Sequence, residues 1–326
     1  MAEAFLEFEK PIAELEARIE DLRRLADQEG LEVADELHKL EKKADKLRRD
    51  VFSKLTRWQR VQLARHPLRP YSLDYVSRMM DDFIELHGDR LFADDGAIVA
   101  GLATFEGRRI VLIGQQKGRD TKEKLKRNFG SAHPEGYRKA LRMMHMGAKF
   151  RLPVVCFVDT QGAFPGIGAE ERGQARAIAE NILVMTRLPT PIVIVIIGEG
   201  GSGGALAVAV GDRVLMQENA VYSVISPEGC AAILWKDRAM AERAADALRI
   251  SAPDMIEQGV VDVLVEEPLG GAHRDVEAAT GFLRAALRDV LADLDGIPID
   301  RLLEERAQKY LRIGPFHEEG GGVSKG

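Results

Sequence analysis

Two glycine-rich stretches hold the residues whose types and spacing can do chemistry: Asp159-Thr-Gln-Gly-Ala-Phe-Pro-Gly-Ile-Gly-Ala-Glu-Glu171 and Gly198-Glu-Gly-Gly-Ser-Gly-Gly-Ala205. Each follows an apolar run of strand type and opens a run of helical type. In open α/β sheets ligands sit beyond the carboxyl ends of the strands, where a helix start offers unpaired N–H groups to negative charge. Such loops suit an oxyanion, because a residue without Cβ lets the backbone approach a ligand closely and take positive φ. The plainer reading is that these glycines are turns forced by tight packing of strand on helix.

The second stretch fits two further chemistries. Gly198-x-Gly200-x-x-Gly203 matches a dinucleotide fingerprint, with Glu218 at roughly the 20-residue distance of a ribose-binding acid. Only a short helix fits between Gly203 and Gly211, however, and a parallel crossover takes a dozen or more residues. Gly200-x-Ser202-x-Gly204 is also a nucleophile elbow, and Asp262 followed by His273 completes the hydrolase order, so a serine hydrolase using Ser202 is one alternative. Ser in a glycine-rich loop often does no more than cap a helix. No Gly-Lys-Ser/Thr occurs, which excludes a Walker phosphate loop. Upstream, Lys117 to Gly130 sets six basic residues beside two acidic ones. That run reads either as a solvated helix face or as a patch for phosphates, with Arg119 and Arg127 able to bind them bidentately. The seven histidines are scattered and none lies in either glycine stretch, so a His-based acid/base mechanism is not visible.

The surrounding chain supplies the elements that must hold these groups. Apolar residues at Ile12, Leu15, Ile19, Leu22 and Ala26, then at Val33, Leu37, Leu40, Ala44, Leu47 and Val51, make two helical seams separated by Gly30. They predict a charged helical arm over residues 1–66 that packs on itself, on a partner, or on the main domain. Pro67 and Pro70 break the pattern and open a domain expected over 67–295. Within it Ser72 caps a helix to about Leu86, Ala97–Phe105 and Arg109–Gln115 form two strands, and a helix runs from Pro134 to Phe150. The strand Val154–Val158 leads into the first glycine loop and a helix from Glu170 to Met185, and the strand Ile192–Ile197 leads into the second. Short elements follow at 213–216, 221–225, 230–235 and 260–265. Residues 296–326 are expected to be a closing helix and a disordered tail, because Gly314 to Gly326 holds too little apolar surface to offset its ordering entropy.

The totals narrow the function. A chain of 326 residues buries a large core unaided. With 46 basic and 52 acidic residues, a net charge of -6 argues against a nucleic-acid-binding surface. The two cysteines, Cys156 and Cys230, lie in apolar stretches without ligand partners, so neither a disulfide framework nor a metal site is expected, and the context is reducing and cytoplasmic. The acidic N-terminus and the short aliphatic run Ile192–Ile197 set aside secretion and membrane insertion.

Longer motifs are more specific. Pro11-Ile-Ala-Glu-Leu-Glu, Ala64-Arg-His-Pro, Arg69-Pro-Tyr, Gly114-Gln-Gln-Lys-Gly-Arg, Arg127-Asn-Phe-Gly, Pro134-Glu-Gly-Tyr-Arg-Lys, Gly168-Ala-Glu-Glu-Arg-Gly-Gln, Gly198-Glu-Gly-Gly-Ser-Gly-Gly-Ala, Tyr222-Ser-Val-Ile-Ser-Pro-Glu-Gly-Cys and Glu267-Pro-Leu-Gly-Gly-Ala-His-Arg occur in one order. Together, from about residue 5 to about 295, they resemble the carboxyltransferase α subunit of bacterial acetyl-CoA carboxylase. One departure is Gln161, where that family usually has Pro after Asp-Thr; the loop loses a fixed φ but keeps its amides.

The resemblance implies an α/β fold, a crotonase-like superhelix of repeated ββα units with an N-terminal helical arm. It implies carboxyl transfer from carboxybiotin, held on a separate biotin carboxyl carrier protein, to acetyl-CoA, giving malonyl-CoA for fatty-acid synthesis. The implied partners are a β subunit in an α2β2 assembly and biotin carboxylase, with no resident metal. Charge develops on the biotin ureido oxygen and on the acetyl-CoA thioester oxygen, so two oxyanion holes are required, while the deprotonated biotin nitrogen serves as base. By resemblance, the α-subunit hole falls on the backbone of Gly203 and Gly204. Asp159, Gly162, Ala163 and Gly166 then shape the biotin pocket, and Lys117, Arg119, Lys122 and Arg127 meet the coenzyme A phosphates. A subunit that binds acyl-CoA without catalysis is the second alternative.

Overall fold

The computed structural model describes residues 5–29, 33–316 and 324–325. Helices α1 (Lys10–Glu29) and α2 (Ala34–Phe52) form the arm. They lie antiparallel, tied by Arg23–Glu41 and Arg48–Glu16, both at 2.5 Å, and their seam buries Ile12, Ile19 and Ala44. The arm therefore packs on itself, and its base is fastened to the main body where Glu9 meets His273. Gly30, the expected turn, lies outside the described residues.

The body continues as α3 (Arg57–Ala64), α4 (Ser72–Met79), β1 (Asp81–Glu85), β2 (Ile98–Phe105), β3 (Arg108–Gln115), α5 (Thr121–Lys126), α6 (Pro134–Phe150), β4 (Val154–Thr160), α7 (Ile167–Glu171), α8 (Gln174–Arg187) and β5 (Ile192–Gly201). After these come α9 (Ser202–Leu206), β6 (Arg213–Gln217), β7 (Val221–Ser223), α10 (Pro227–Trp235), α11 (Ala241–Leu248), α12 (Ala252–Glu257), β8 (Val263–Val265), α13 (Val276–Asp293) and α14 (Ile299–Leu311). The sheet runs β1-β2-β3-β4-β5-β6-β8, with β7 pairing the far end of β5. β1, β2 and β3 are antiparallel, and the pairs from β3 through β8 are parallel. Every residue of β4 is buried, because helices cover both faces of the parallel part. Val154, Cys156, Val158, Ile192, Ile194 and Ile196 pack with α6 and α8. Val155, Phe157, Val193, Val195 and Ile197 face α4 and α13. Among the described residues no helix is long and apolar enough to cross a membrane.

Three local expectations are corrected. The helix from Ser72 stops at Met79, and residues 81–85 form β1 instead, since β2 offers an open edge and Gly101 lets it approach; a Cβ there would lie 2.0 Å from the Ile84 carbonyl oxygen. Ser72 is not the cap, because its hydroxyl donates to the Gln115 carbonyl at 2.6 Å. The helix expected over 170–185 is two helices, broken where Gly173 takes φ +82°. Of the tail, Pro315–Phe316 pairs with Ser324–Lys325, and residues 317–323 lie outside the described set.

Candidate active site

β4 and β5 are adjacent and parallel, so their glycine loops emerge at one edge of the sheet. The loops touch: a Cβ on Gly201 would lie 2.3 Å from the Gln161 oxygen, and one on Gly204 would lie 2.4 Å from the Ala163 nitrogen. Gln115 stitches them from below, donating to the Gly204 carbonyl at 2.8 Å and accepting from the Asp159 N–H at 3.1 Å. Above the loops opens a cleft of about 760 Å³, lined among others by Tyr71, Lys117, Phe129, Gln161, Ala163 and Glu199. Gly162 lines it too, whereas Asp159 and Gly166 are not among its lining residues. Next to it, sharing Ser223 and Ile250, is a more apolar hollow of about 450 Å³ that reaches Ser202, Gly203 and Leu206.

Packing within the chain explains most of the second loop's glycines. A Cβ on Gly198 would strike Asp159 at 2.4 Å and one on Gly200 would strike Tyr222 at 2.5 Å, in addition to the clashes at Gly201 and Gly204. Gly203 differs: a Cβ there would meet only Ile178, at an ordinary 3.7 Å. Nothing in this chain requires that position to be bare. The left-handed residue of the turn is Ser202, at φ +56°, while neither Gly203 nor Gly204 has positive φ. Both stand in the first turn of α9, where helix geometry provides no carbonyl for their N–H groups.

The charged groups are arranged otherwise than the sequence suggests. Lys117 lines the cleft, but its ammonium is held by Asp159 at 2.7 Å and Glu199 at 2.9 Å and does not stand free. Arg65 binds Glu199 at 2.6 Å and Glu228 at 2.5 Å. Burial pushes Glu199 up, but Lys117 and Arg65 outweigh it and hold the carboxyl down to about 2. For Asp159 burial prevails and its carboxyl is raised despite Lys117. Arg119 lies over the Tyr71 ring, bonds the Pro67 carbonyl at 2.9 Å and pairs with Asp74. Arg127 donates to the Gly96 carbonyl at 2.9 Å. Of the four cations expected at phosphates Arg119 and Lys122 stand exposed, but Arg119 is paired with Asp74, and Lys122 has Lys124 and Lys126 beside it on α5.

The hydrolase triad is not assembled. Asp262 accepts from the Val214 N–H at 2.7 Å and pairs with Lys309, and His273 is engaged by Glu9 with its ring 4.0 Å from His66. Two clusters place possible metal ligands within reach of one another, Glu9/His66/His273 and Asp95/His133/Glu135. Neither donor set suits a metal. His66 Nδ1 accepts the Leu68 N–H at 3.2 Å, which leaves the proton on Nε2, and Glu135 is taken by Arg172 at 2.7 Å and Arg138 at 3.0 Å.

The family model described as acetyl co-enzyme A carboxylase carboxyltransferase-like matches residues 5–314. The chain belongs to this family. It is 56% identical over 313 residues to the acetyl-coenzyme A carboxylase carboxyl transferase subunit alpha of Geobacter metallireducens, covering 96% of this chain and 98% of the relative. It is 55% identical to the subunit of that name in Thiobacillus denitrificans, over 98% and 99% of the two chains. Among solved structures, transcarboxylase 12S with methylmalonyl-coenzyme A and methylmalonic acid bound is similar at TM-score 0.51 and 20% identity, over 65% of this chain and 41% of that one. The β subunit of Pseudomonas aeruginosa geranyl-CoA carboxylase is similar at TM-score 0.54 and 18% identity, over 78% and 45%. The chain thus spans less than half the length of either, and these likenesses show the fold alone, that of carboxyltransferase and crotonase-like α/β enzymes.

For this carboxyltransferase-family chain, residue-by-residue reading missed Arg65, Glu199 and Glu228. Glu199 had a legible signal, because an acid among glycines directly after six aliphatic residues is buried and needs a cation. Its partners had none, since Lys117 stands 82 positions away.

Proposed function

We propose that this chain is the α half of a two-subunit acetyl-CoA carboxyltransferase, with the N–H groups of Gly203 and Gly204 as donors to the ureido oxygen of carboxybiotin. The observation that carries this reading is Gly203, bare without any packing reason at a helix start that opens on a hollow. Biotin, brought by a separate carrier protein, supplies the carboxyl group, and negative charge remains on its ureido oxygen as that group leaves. Two donors fixed by α9 meet this charge without reorganising, and one such donor is worth roughly 2.7–4 kcal/mol. Gly162 and Ala163 shape the adjoining wall, and Asp159 and Gly166, which do not line it, belong to the loop that carries them. The acetyl-CoA enolate needs a second set of donors, assigned to the β subunit that the relatives' designation implies, in an α2β2 assembly recharged by biotin carboxylase in the cytoplasm. A subunit that bound acyl-CoA without catalysis would have no use for a bare Gly203.

The test is malonyl-CoA formation from acetyl-CoA and carboxybiotin by the chain alone, by the β subunit alone and by both. Turnover is expected only from the pair, and robust turnover by the isolated chain would overturn the division of the two holes. Replacing Lys122, Lys124 and Lys126 together by Ala is expected to raise the KM for acetyl-CoA several-fold with little change in kcat, because distant phosphates are bound alike in ground and transition states. The effect should fade near 1 M salt, where screening shortens to ~3 Å. An unchanged KM at low salt would make α5 a solvated face.

A further inference from the structure

The pairing of β4 with β5 is regular from Val154↔Ile192 to Val158↔Ile196, then slips, and Thr160 pairs with Gly200. Asp159 alone therefore stands opposite Ile197, Gly198 and Glu199. A bulge of this size removes the ladder acceptor of Glu199 N–H, which donates instead to Asp159 Oδ1 at 3.0 Å. Directly beyond it the strand leads through Ser202 into α9, so the bulge sets where the Gly203 and Gly204 amides point. Two carboxylates face each other across the slip, and Lys117 is the cation between them. Its stem is seated against Gly130, where a Cβ would lie 2.7 Å from the Lys117 Cγ.

We infer that Lys117 is a positioning residue that locks the β4–β5 bulge and thereby aims the α9 amides. This rests on the proposed function for its effect on turnover, but not for its effect on the backbone. Without the ammonium, two buried like charges at one bulge would push the strands apart or force a proton onto Asp159. Asp159 and Glu199 transmit the constraint, one from each loop, and Arg65 anchors Glu199 from the other side.

The experiment uses the chain assembled with its β subunit and compares Glu199→Gln, Lys117→Met and their combination with the parent. Glu199→Gln keeps shape and leaves Lys117 paired with Asp159, so it is the variant expected to fold and assemble. Its kcat should fall tenfold or more with the KM for acetyl-CoA within twofold, because aim and not binding is lost. The combination should be no worse than the poorer single variant, since both break one tie. Independently, amide hydrogen exchange at residues 199–201, the end of β5 that leads into α9, should be at least tenfold faster in Glu199→Gln than in the parent. Exchange at the parent rate would overturn the inference whatever the activity. A parent complex that makes no malonyl-CoA would sink the proposed function and leave the exchange result to decide this one. An active parent with fully active Glu199→Gln, or additive losses in the combination, would sink this inference alone.

Discussion

Gly203→Val in the assembled enzyme is expected to lower kcat by about 10²-fold or more, while Ser202→Ala stays within roughly tenfold. The valine branches would fill the space before the α9 amides and displace the oxyanion, and a misplacement of about 1 Å can cost that much. The intermediate substitution separates function from folding. Gly203→Ala should fold well, because its Cβ meets only Ile178 at 3.7 Å and φ is not left-handed. A helical Gly→Ala change at a compatible position stabilises by about 0.4–1 kcal/mol, so a small gain in Tm should accompany a loss of kcat. Gly204→Ala should behave in the opposite way and lose stability first, since its Cβ would fall 2.4 Å from the Ala163 nitrogen. Dead Ser202→Ala beside active Gly203→Val, both assembled, would return the loop to a nucleophile elbow. Ser202 does have the left-handed backbone of such an elbow, but the acid and the base that would activate it are engaged elsewhere.

What was legible in the sequence was local, and what was not depended on partners far along the chain. The start of the helix Pro134–Phe150 was legible because Pro suits the first helical turn, and the structure ends it at Arg151 in a left-handed cap. Both glycine loops could be placed because fully buried parallel strands read as unbroken aliphatic runs. By contrast, residues 81–85 become a strand only because β2 presents an edge to them, and nothing in Asp81-Asp-Phe-Ile-Glu85 announces that neighbour. The basic run shows the same limit at the site. Charge spacing could show that Lys117, Arg119, Lys122 and Arg127 are cations, but Asp159, Asp74 and the Gly96 carbonyl decide which of them are already engaged. The four look like one patch because a run of like charge is uniform in sequence, yet folding divides it into a buried tie, two structural anchors and one solvated lysine.

Arg69→Met is expected to cost about 3–5 kcal/mol of stability at neutral pH, because it leaves a buried carboxylate without its cation. Arg69 and Glu267 are 1% and 0% exposed at their side chains and bond at 2.6 Å and 3.1 Å. Arg69 also donates to the Ile197 carbonyl at 2.8 Å, at the residue where the β5 bulge begins. Burial alone would raise Glu267, but Arg69 and Asn219 outweigh it and hold the carboxyl down to about 2. A carboxyl depressed below its unfolded value near 4.5 contributes stability that is present above that value and lost as pH falls toward about 2. In Arg69→Met the sign reverses. Burial is then opposed only by the N–H donors of Asn219 and Ala272, the folded carboxyl rises above its unfolded value, and acid relieves the variant while it begins to weaken the parent. The difference in unfolding free energy should therefore be larger at pH 8 than at pH 5, measured by denaturant titration at both. Arg69→Met/Glu267→Gln should recover a large part of the loss at pH 8, since no charge is left buried. A pH-independent gap, or a double variant no more stable than Arg69→Met, would mean that the cost comes from lost packing around the guanidinium and not from an unpaired carboxylate.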